Sequence, residues 1–533
     1  MRIGILTTVA TAIAIGVLVA SSGSDTANLW MDTNGGSCVR SSSPIAYAGT
    51  GDANSCSSMS TAYVAANTGD LVLLKAGTYG SQTILAANAK AGAGLECDSI
   101  APGSTLTAGS FPVRVTDYSD CITFRKETSG SLTVGSLSFE VPYVYLDGGI
   151  TPSITVTGEV LFGTDDANCS TSHDIVVSGI STNSAFIMKG SHNTLQYSDF
   201  NLGDAYLRST VSQFNGACPP TANLIYRTTF RNLYQWQKSD QTGSSGENQM
   251  HIECIHLRVG TDTIFDSNKF LNCAQYGISA QSDGGAVVNM KVVNNVFDKI
   301  CSGQPPGVEI TGTFTSGSNV ITSVSDTSGV DTGDGVYSIH LPYTNNVLNP
   351  PTVPTVQSKT ANSLTLSANA IGSQTSVFTA GGSACTGNNG LQLTGGATYS
   401  DPLVAFNSFY DEVEGYDQGP GSITNAISYG NIKLARGSFF CANATYSYLV
   451  NASDWPSSAG SPPDNTCGTG SVTGIADYLD VATYDFRISG SSAANNLVPS
   501  GFSAGVPSVD IKGNTRTGSL LDAGAYDSAA SAP

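Results

Sequence analysis

Three side chains with the chemistry of proton transfer are predicted to share one exposed surface. His251 and Glu253 are two residues apart, so on a strand they project from the same face, and Arg208 is expected on a nearby coil. An imidazole can act as a base, while a guanidinium, or a cation held by Glu253, can neutralise a carboxylate. This set suits removal of a proton next to a carboxyl group, although an outward His–Glu pair is also typical of a surface hydrogen bond. A hydrolase would instead need two carboxylates about 5–10 Å apart, with Asp204 or Asp240 as the partner of Glu253.

Aromatic, amide and basic side chains near these residues are the candidate substrate contacts. The loop before His251, about 235–249, carries Trp236 and Lys238. A Trp ring can stack on the apolar face of a sugar, or it can simply cover the coil beneath it. The remaining candidate contacts are expected on neighbouring strands or coils: Tyr206, Lys189 and Gln392.

These placements depend on a repeat. Eight segments carry an apolar residue, a small turn-forming residue three places later, and a second apolar residue two places after that. The clearest are Phe265/Asn268/Phe270, Val292/Asn295/Phe297 and Val404/Asn407/Phe409. The weaker copies are Tyr145/Gly148/Ile150, Ile175/Ser178/Ile180, Leu195/Ser198/Phe200, Ile225/Thr228/Phe230 and Ile427/Gly430/Ile432. Repeats of roughly 20–40 residues indicate a solenoid of stacked coils.

The small residue of each repeat is predicted to make a sharp bend, because Asn and Gly tolerate the left-handed region of backbone space. Asn268 and Asn295 should then lie one above the other and link coils through side-chain hydrogen bonds. The flanking apolar residues should stack inside at the ~4.8 Å spacing of paired strands. The strand after each repeat is assigned to an exposed sheet, with four candidate strands: Asp204–Arg208, Met250–His256, Tyr276–Ala280 and Asn389–Leu393.

Composition favours strands and turns in an exported protein. Of 533 residues, 59 are Gly and only 12% are charged, and the net charge of −19 without a Lys/Arg run excludes nucleic-acid binding. Residues 1–20 have the positive start and apolar run of a secretory signal, the alternative being an uncleaved anchor. No later segment could span a bilayer, so no membrane contact is expected after cleavage.

The twelve cysteines suggest disulfides in an oxidising compartment. Pairing of neighbours predicts Cys38–Cys56, Cys97–Cys121, Cys254–Cys273, Cys301–Cys385 and Cys441–Cys467, which leaves Cys169–Cys218. No CxxC motif is present, so no zinc or redox site is predicted. Calcium is the one candidate cofactor, since Asp165-Asp166 and Asp331-x-x-Asp334 each supply a few oxygen ligands.

Changes of pattern divide the chain into segments. The interval between Phe297 and Phe409 is 112 residues, and a β-rich insertion at 311–382 accounts for the excess over one coil. Ser58 to Ala66 has the cap and apolar face of a short helix that would cover the first coil. The predicted segments are a signal at 1–20, a disulfide-tied lead at 21–57, β-helix at 58–310, inserted β module at 311–382, last coils at 383–470 and a C-terminal cap at 471–533.

Three of these features resemble secreted bacterial proteins of the pectin-lyase-like superfamily. They are the helix followed by 69–72 and 77–79, the Asn-x-Phe coils, and the ending Asp510…Gly513…Arg516…Asp522-x-Gly524. The resemblance implies an all-β, right-handed parallel β-helix with a ligand groove along one exposed sheet. Many members cleave acidic polysaccharides, whereas others only bind or are structural. The Asn-Thr-Asp and Gly-His-Gly motifs of polygalacturonases and the Arg-x-x-Pro-x-x-Arg signature of pectate lyases are missing, so no catalytic residue carries over.

Two functions follow as hypotheses. The first is a carbohydrate-active enzyme, most simply a carbon–oxygen lyase on a uronate-containing polysaccharide, with His251 as base and Arg208 as neutraliser. The second is a non-catalytic adhesin or glycan-binding surface protein, with the insertion as its binding module. In either case the expected partner is an extracellular polysaccharide or cell-surface glycan.

Overall fold

The structure is a computed structural model of the chain. It describes residues 25–91, 97, 118–163, 170–184, 186–201, 211–213, 220–233, 254–257, 259–273, 276–281, 286–298, 308–338, 341, 344–346, 349–352, 354–380, 389–394, 398–412, 414–418, 422–435, 444–452, 470–474, 476–480, 485–501 and 507–526. The predicted signal at 1–20 lies outside this set. Within these ranges, no helix is long and apolar enough to cross a membrane.

Short parallel strands stack into three long sheets, named I, II and III in the order in which each coil visits them. Sheet I contains Gln82–Ile84, Leu137–Phe139, Val160–Phe162, Phe186–Met188, Val211–Gln213, Ile255–Leu257, Ile278–Gln281, Asn389–Thr394 and Glu414–Gln418. Sheet II contains Ser55–Cys56, Leu29–Met31, Leu71–Leu74, Ile122–Lys126, Val144–Asp147, Ile175–Ser178, Thr194–Gln196, Leu224–Tyr226, Ile264–Asp266, Lys291–Val293, Leu403–Ala405, Ala426–Tyr429 and Ala444–Ser447. Sheet III contains Gly77–Tyr79, Leu132–Val134, Ile154–Val156, Ile180–Thr182, Asp199–Asn201, Thr229–Leu233, Lys269–Cys273, Val296–Asp298, Ser408–Glu412, Ile432–Ala435, Val450–Ala452 and Val472–Gly474. The right-handed parallel β-helix predicted from the sequence is confirmed.

The interior of the coils is apolar and stacked in register. Phe200, Phe230, Phe270, Phe297 and Phe409 are all fully buried and form one column on sheet III. Their successive ring centroids lie 5.1, 5.5, 4.9 and 4.8 Å apart. The predicted interior stack is therefore confirmed, and it continues without a break across the 112-residue interval.

A buried chain of asparagine amides joins these coils at the corner between sheets II and III. The backbone N–H and the Nδ2 of Asn268 both donate to Oδ1 of Asn295, at 2.9 and 3.1 Å. Asn295 donates in the same way to Asn407, and Asn407 donates to Asn431, at 2.9 and 3.0 Å in each case. Each of these side chains is fully buried. The predicted link between Asn268 and Asn295 is confirmed and extends over four coils.

The bend at this corner differs from the prediction in one respect. The left-handed residue is the one before the amide: Ser267 has a φ of 61°, and Asn294 and Phe406 each have a φ of 56°. The prediction gave this conformation to Asn268 itself, but the amide instead keeps a backbone that lets its side chain enter the buried chain. The small residue is thus selected for its hydrogen bonds rather than for its φ.

Three weaker repeats are wrong in register. In the copy Ile175/Ser178/Ile180, Leu195 pairs with Val177 and Phe200 with Thr182, so this copy is displaced by two residues. Ile150 was expected inside, but it is 78% exposed, and the buried strand begins four residues later at Ile154. The last copy is displaced by one residue, because Val404 pairs with Ser428 and Phe409 with Lys433 rather than with Ile427 and Ile432. At that coil the amide position belongs to Asn431, and Gly430 supplies the left-handed residue with a φ of 62°.

The first coils are covered by a short helix, Met59–Ala65. Ser58 caps it through its side chain, which accepts from the backbone N–H of Thr61 at 3.1 Å. Met59 and Tyr63 are buried against the coil interior, and the Tyr63 hydroxyl donates to the carbonyl of Pro142 at 2.9 Å. A single-turn 3-10 helix follows at Ala86–Asn88. The predicted capping helix is confirmed.

Antiparallel strands occupy the region of the predicted insertion. They are Val308–Phe314, Val320–Ile321, Val336–Tyr337, Thr344–Asn346, Asn349–Thr352, Val356–Lys359, Leu364–Leu366 and Gln374–Ala380. The outer pair runs from Val308 opposite Ala380 to Phe314 opposite Gln374. These strands have their own hydrophobic core, which is separate from that of the coils. The exact bounds of the predicted segments stay a prediction.

The described part of the C-terminal segment lies against the side of the II–III corner. It includes Tyr478–Asp480, Asp485–Ile488, Val498–Pro499 and Leu520–Leu521. Arg516 donates to the side chain of Asn294 at 3.3 Å and to the carbonyl of Gly524 at 2.8 Å, and its guanidinium lies 4.7 Å from the Phe406 ring. The carbonyl of Gly430 accepts from the N–H of Gly524 at 2.7 Å. The contacts observed here are lateral, and the role of 471–533 as an end cap stays a prediction.

The remaining short strands connect or flank the long sheets. Between sheets I and II lie Gly260–Thr261, Ala286–Val288, Thr398–Ser400 and Ser422–Thr424, which pair in parallel, and Thr26–Ala27 pairs with Ile45–Ala46 near the start of the chain. Three of the predicted disulfides are present: Cys38–Cys56, Cys97–Cys121 and Cys254–Cys273. The other three pairs involve cysteines outside the described residues.

Removing one amide from the buried chain should destabilise the coils. Asn295→Ala deletes the acceptor of two Asn268 donors and leaves the carbonyl of Phe265 without its Nδ2 partner. Because each unsatisfied buried group costs about 1–3 kcal/mol, the denaturation midpoint should fall by an amount equivalent to about 2 kcal/mol or more. Asn67→Ala, at an exposed position, is the matched control and should shift stability by less than about 0.5 kcal/mol. Equal effects of the two variants would contradict a structural role for the amide chain.

A buried lysine on sheet II should make stability depend on pH. Lys291 is fully buried between Ile264 and Leu403, and burial lowers its pKa to about 8, partly offset by Asp262. Its ordinary pKa is 10.5, so the unfolded chain binds more protons than the folded one between these values. The contribution of Lys291 to the free energy of unfolding therefore rises as the pH increases from about 8 toward 10.5. Between pH 7 and about 9.5, denaturant midpoints of the wild type should rise relative to those of Lys291→Met, whereas parallel profiles would contradict this assignment.

Candidate functional site

The exposed sheet predicted to follow each repeat is sheet I. Two predicted strands, Tyr276–Ala280 and Asn389–Leu393, correspond to the observed Ile278–Gln281 and Asn389–Thr394. The predicted Met250–His256 corresponds to the observed Ile255–Leu257 at its end. These strands pair in parallel and in register, so consecutive coils present equivalent side chains at the same height along the surface.

One row of outward positions runs along sheet I through consecutive coils. Val211–Gln213 pairs with Ile255–Leu257, which places Ser212 opposite His256. His256 pairs with Ser279, and Ser279 pairs with Gln392. In the earlier coils the same row contains Leu161 and Ile187, which are half-buried and apolar. The row is polar at Thr83 and Ser138 in the first coils, apolar at Leu161 and Ile187, and polar again from Ser212 to Gln392.

His256 is the titratable side chain that sequence reasoning did not place. The predicted alternation puts His251 and Glu253 on the exposed face, and its continuation would put His256 inside. In the structure Ile255 and Leu257 enter the core, so His256 lies between them on the outward row and is only 4% exposed. The signal that could have found it is the apolar pair Ile255-x-Leu257, which matches Ile278-x-Ala280 in the next coil.

A hydrogen-bonded group occupies the polar end of this row. Nε2 of Gln392 donates to the hydroxyl of Tyr276 at 2.9 Å, and Oγ of Ser279 donates to Oε1 of Gln392 at 3.4 Å. Ser279 is buried, whereas Tyr276 and Gln392 are half-buried. Gln392 is a predicted substrate contact, and Ser279, its partner on the preceding coil, shares its face.

A disulfide anchors the strand that carries His256. Cys254 directly precedes Ile255 and is bonded to Cys273, at the end of the neighbouring strand of sheet III. Both half-cystines are fully buried. The N–H of Cys254 also donates to the carbonyl of Tyr276 at 2.9 Å. The start of this strand is thus held both covalently and by the next coil.

Most of the predicted site residues lie outside the described residues, and their roles stay predictions: Arg208, His251 and Glu253 for catalysis, and Tyr206, Trp236 and Lys238 for substrate binding. Lys189 is described and directly follows the sheet I strand Phe186–Met188. Its N–H donates to the carbonyl of Phe162 at 2.8 Å, and its own carbonyl accepts from Asn193 at 3.0 Å. Lys189 therefore lies at the turn that leaves sheet I, two coils before His256.

Asp331 and Asp334, the acidic pair in the insertion, make contacts within the insertion itself. The carboxylate of Asp334 accepts from the N–H of Asp331 at 2.7 Å, and Asp331 lies 3.6 Å from Nζ of Lys359. Asp165 and Asp166, the other candidate calcium ligands, lie outside the described residues. Among the side chains that the structure describes, no group of three or more His, Cys, Asp or Glu is placed to hold a metal ion.

Comparison with known proteins gives similarity of structure only. No family model matches the sequence. No curated protein matches it either. Among solved structures, the pectate lyase Pel9A is 15% identical, with 94% of this chain and 96% of that chain covered and a TM-score of 0.37. A PL6-family polysaccharide lyase from Pseudopedobacter saltans is 12% identical over 78% of this chain and 89% of its own, with a TM-score of 0.30. The PL6-family alginate lyase AlyGC is 10% identical over 76% of this chain and 51% of its own, with a TM-score of 0.30.

The chain has the fold of the pectin-lyase-like group. Parallel strands in three sheets, the covering helix and the coil repeat agree with the resemblance seen in the sequence. This agreement concerns architecture, and the identities are too low to transfer any residue's role.

Proposed function

We propose that the protein is an exported carbohydrate-active β-helix, most simply a lyase that acts on a uronate-containing polysaccharide. The observation that supports this most is the in-register polar row of His256, Ser279 and Gln392 on sheet I. His256 and Ser279 are buried, whereas Gln392 is half-buried, so Gln392 is the member of this row whose amide can contact a ligand hydroxyl group. The disulfides of the described residues are consistent with an oxidising, extracellular environment.

The proposed chemistry is removal of the proton next to a uronate carboxyl group. His251 accepts that proton, a carbon–carbon double bond forms, and the glycosidic carbon–oxygen bond breaks, with water protonating the leaving oxygen. Arg208, or a cation held by Glu253, neutralises the carboxylate and so stabilises the charge that develops on it.

Chain connectivity supports this grouping. Val211 and Ile255 are paired in adjacent coils of sheet I. Arg208 is three residues before Val211, and Glu253 is two residues before Ile255. Arg208 and Glu253 are thus close in sequence to the starts of two paired strands, which supports grouping them in this proposal.

The lyase proposal is tested with a panel of uronate polymers, with and without calcium, by following the ultraviolet absorbance of unsaturated products. His251→Ala, Arg208→Ala and Glu253→Ala should each lower kcat by about 10²-fold or more while leaving the melting temperature unchanged. His173→Ala is the matched control, because His173 lies at a turn before sheet II rather than on sheet I, and it should keep wild-type activity. A wild-type protein that forms no unsaturated product from any polymer would rule out the lyase.

A second candidate function, a non-catalytic adhesin, is favoured by the inserted module. Ile310, Phe314, Ile321, Val336 and Phe378 are buried in a core of their own, away from the coil interior. Such a separately packed unit on the side of a solenoid is suited to carry a binding surface without altering the coils.

Excision of the module tests the adhesin. Val308 and Ala380 are paired, so a short Gly-Ser linker in place of 308–380 closes the chain where the two ends of the module meet. If the module is the binding unit, the excised protein should keep its melting temperature and lose attachment to cells or glycan surfaces. Attachment equal to that of the wild type would contradict this function.

A further inference from the structure

We propose that Tyr276 is a positioning residue that holds the carboxamide of Gln392 for recognition of a sugar hydroxyl. This inference rests on the proposed function, because it names what one part of the sheet I surface recognises. Tyr276 and Gln392 are 116 residues apart in sequence and lie on neighbouring coils. The orientation of Gln392 in the polar row therefore depends on contacts from another coil.

The carboxamide of Gln392 is held from both sides. The hydroxyl of Tyr276 accepts from Nε2 at 2.9 Å, and Oε1 accepts from Ser279 at 3.4 Å. A free Gln side chain samples several rotamers, and fixing them during binding carries an entropic cost. The two contacts fix the amide before a ligand arrives, so less of the binding free energy is lost to ordering.

Tyr276 is itself fixed by the coil before it. Its carbonyl accepts from the N–H of Cys254 at 2.9 Å, and the N–H of Ile255 donates to the carbonyl of Gly277 at 3.0 Å. The Cys254–Cys273 disulfide closes the same coil three residues before Tyr276. Tyr276 thus connects the strand next to the proposed catalytic segment with the side chain of Gln392 on the following coil.

The groups left on the amide define the ligand chemistry. A primary amide has two N–H donors and an acceptor oxygen with two lone pairs. Tyr276 and Ser279 use one of each, so one donor and one acceptor position remain for a ligand on the half-buried edge of Gln392. A sugar hydroxyl can accept from the first and donate to the second. The geometry therefore points to a ring hydroxyl of a residue in the polymer rather than to its carboxylate, which would use only the donor.

Calorimetric binding of uronate oligosaccharides to catalytically inactive His251→Ala protein provides the test. Tyr276→Phe removes only the hydroxyl that holds Gln392, and should weaken binding about five-fold. Gln392→Ala should weaken binding at least as much. Because Tyr276 acts through Gln392, the double variant should bind like Gln392→Ala alone. In the otherwise wild-type enzyme, Tyr276→Phe should raise KM by a similar factor with little change in kcat.

Tyr399→Phe is the matched control. Tyr399 is a buried tyrosine of an adjacent coil, and its hydroxyl donates to the carbonyl of Ala280 inside the β-helix. Its loss should lower the melting temperature and leave oligosaccharide affinity unchanged. Wild-type affinity in Tyr276→Phe, or independent additive losses in the double variant, would overturn the positioning role while leaving the proposed function intact. Absence of binding to every uronate oligosaccharide would instead overturn the proposed function, and this inference with it.

Discussion

The buried amide chain at the II–III corner is the interaction on which the other coils depend. Each Asn side chain satisfies backbone groups that the sharp bend would otherwise leave buried without partners, and it does so between coils rather than within one. Because unpaired buried polar groups are costly, the amides permit only the alignment in which every bend lies directly above the next. That alignment also brings the Phe column and the strands of sheet I into register.

Internal packing and the proposed ligand contacts lie on different sides of the β-helix. The II–III corner faces the C-terminal segment, whose Arg516 contacts Asn294 and the Phe406 ring, so this side of the coils is taken up by internal packing. In sheet I the inward residues pack in the coil interior, while the outward row changes from Leu161 to Gln392 along the described coils. Different chemistry can therefore be presented along one surface of an unchanged scaffold.

Much of this architecture could be predicted from sequence, because its causes are local. The Asn-x-Phe spacing predicts the buried amides, and the cap of the first helix is encoded in Ser58 and its neighbours. Which residues of the strand at Cys254 point inward could not be predicted, because Cys254 and Ile255 are both apolar and fit either alternation. A shift of one residue exchanges the inward and outward side chains of the whole strand. The contact between Tyr276 and Gln392 is likewise invisible in the sequence, because it depends on which coils become neighbours once the insertion is excluded. The catalytic roles predicted for the segment before Cys254 remain predictions.

The insertion also affects the order in which the chain can assemble. Phe297 and Phe409 stack at 4.8 Å, yet the chain between them must be brought together before that contact can form. Closing a long flexible loop slows folding. The chain loses conformational entropy when the loop closes, and the contacts that compensate for this loss form only afterwards. Pairing of Val308 with Ala380 shortens this span to that of an ordinary coil. If the module folds before the last coils, it holds the two ends of this interval together. The last coils can then pack directly onto the coils that have already formed.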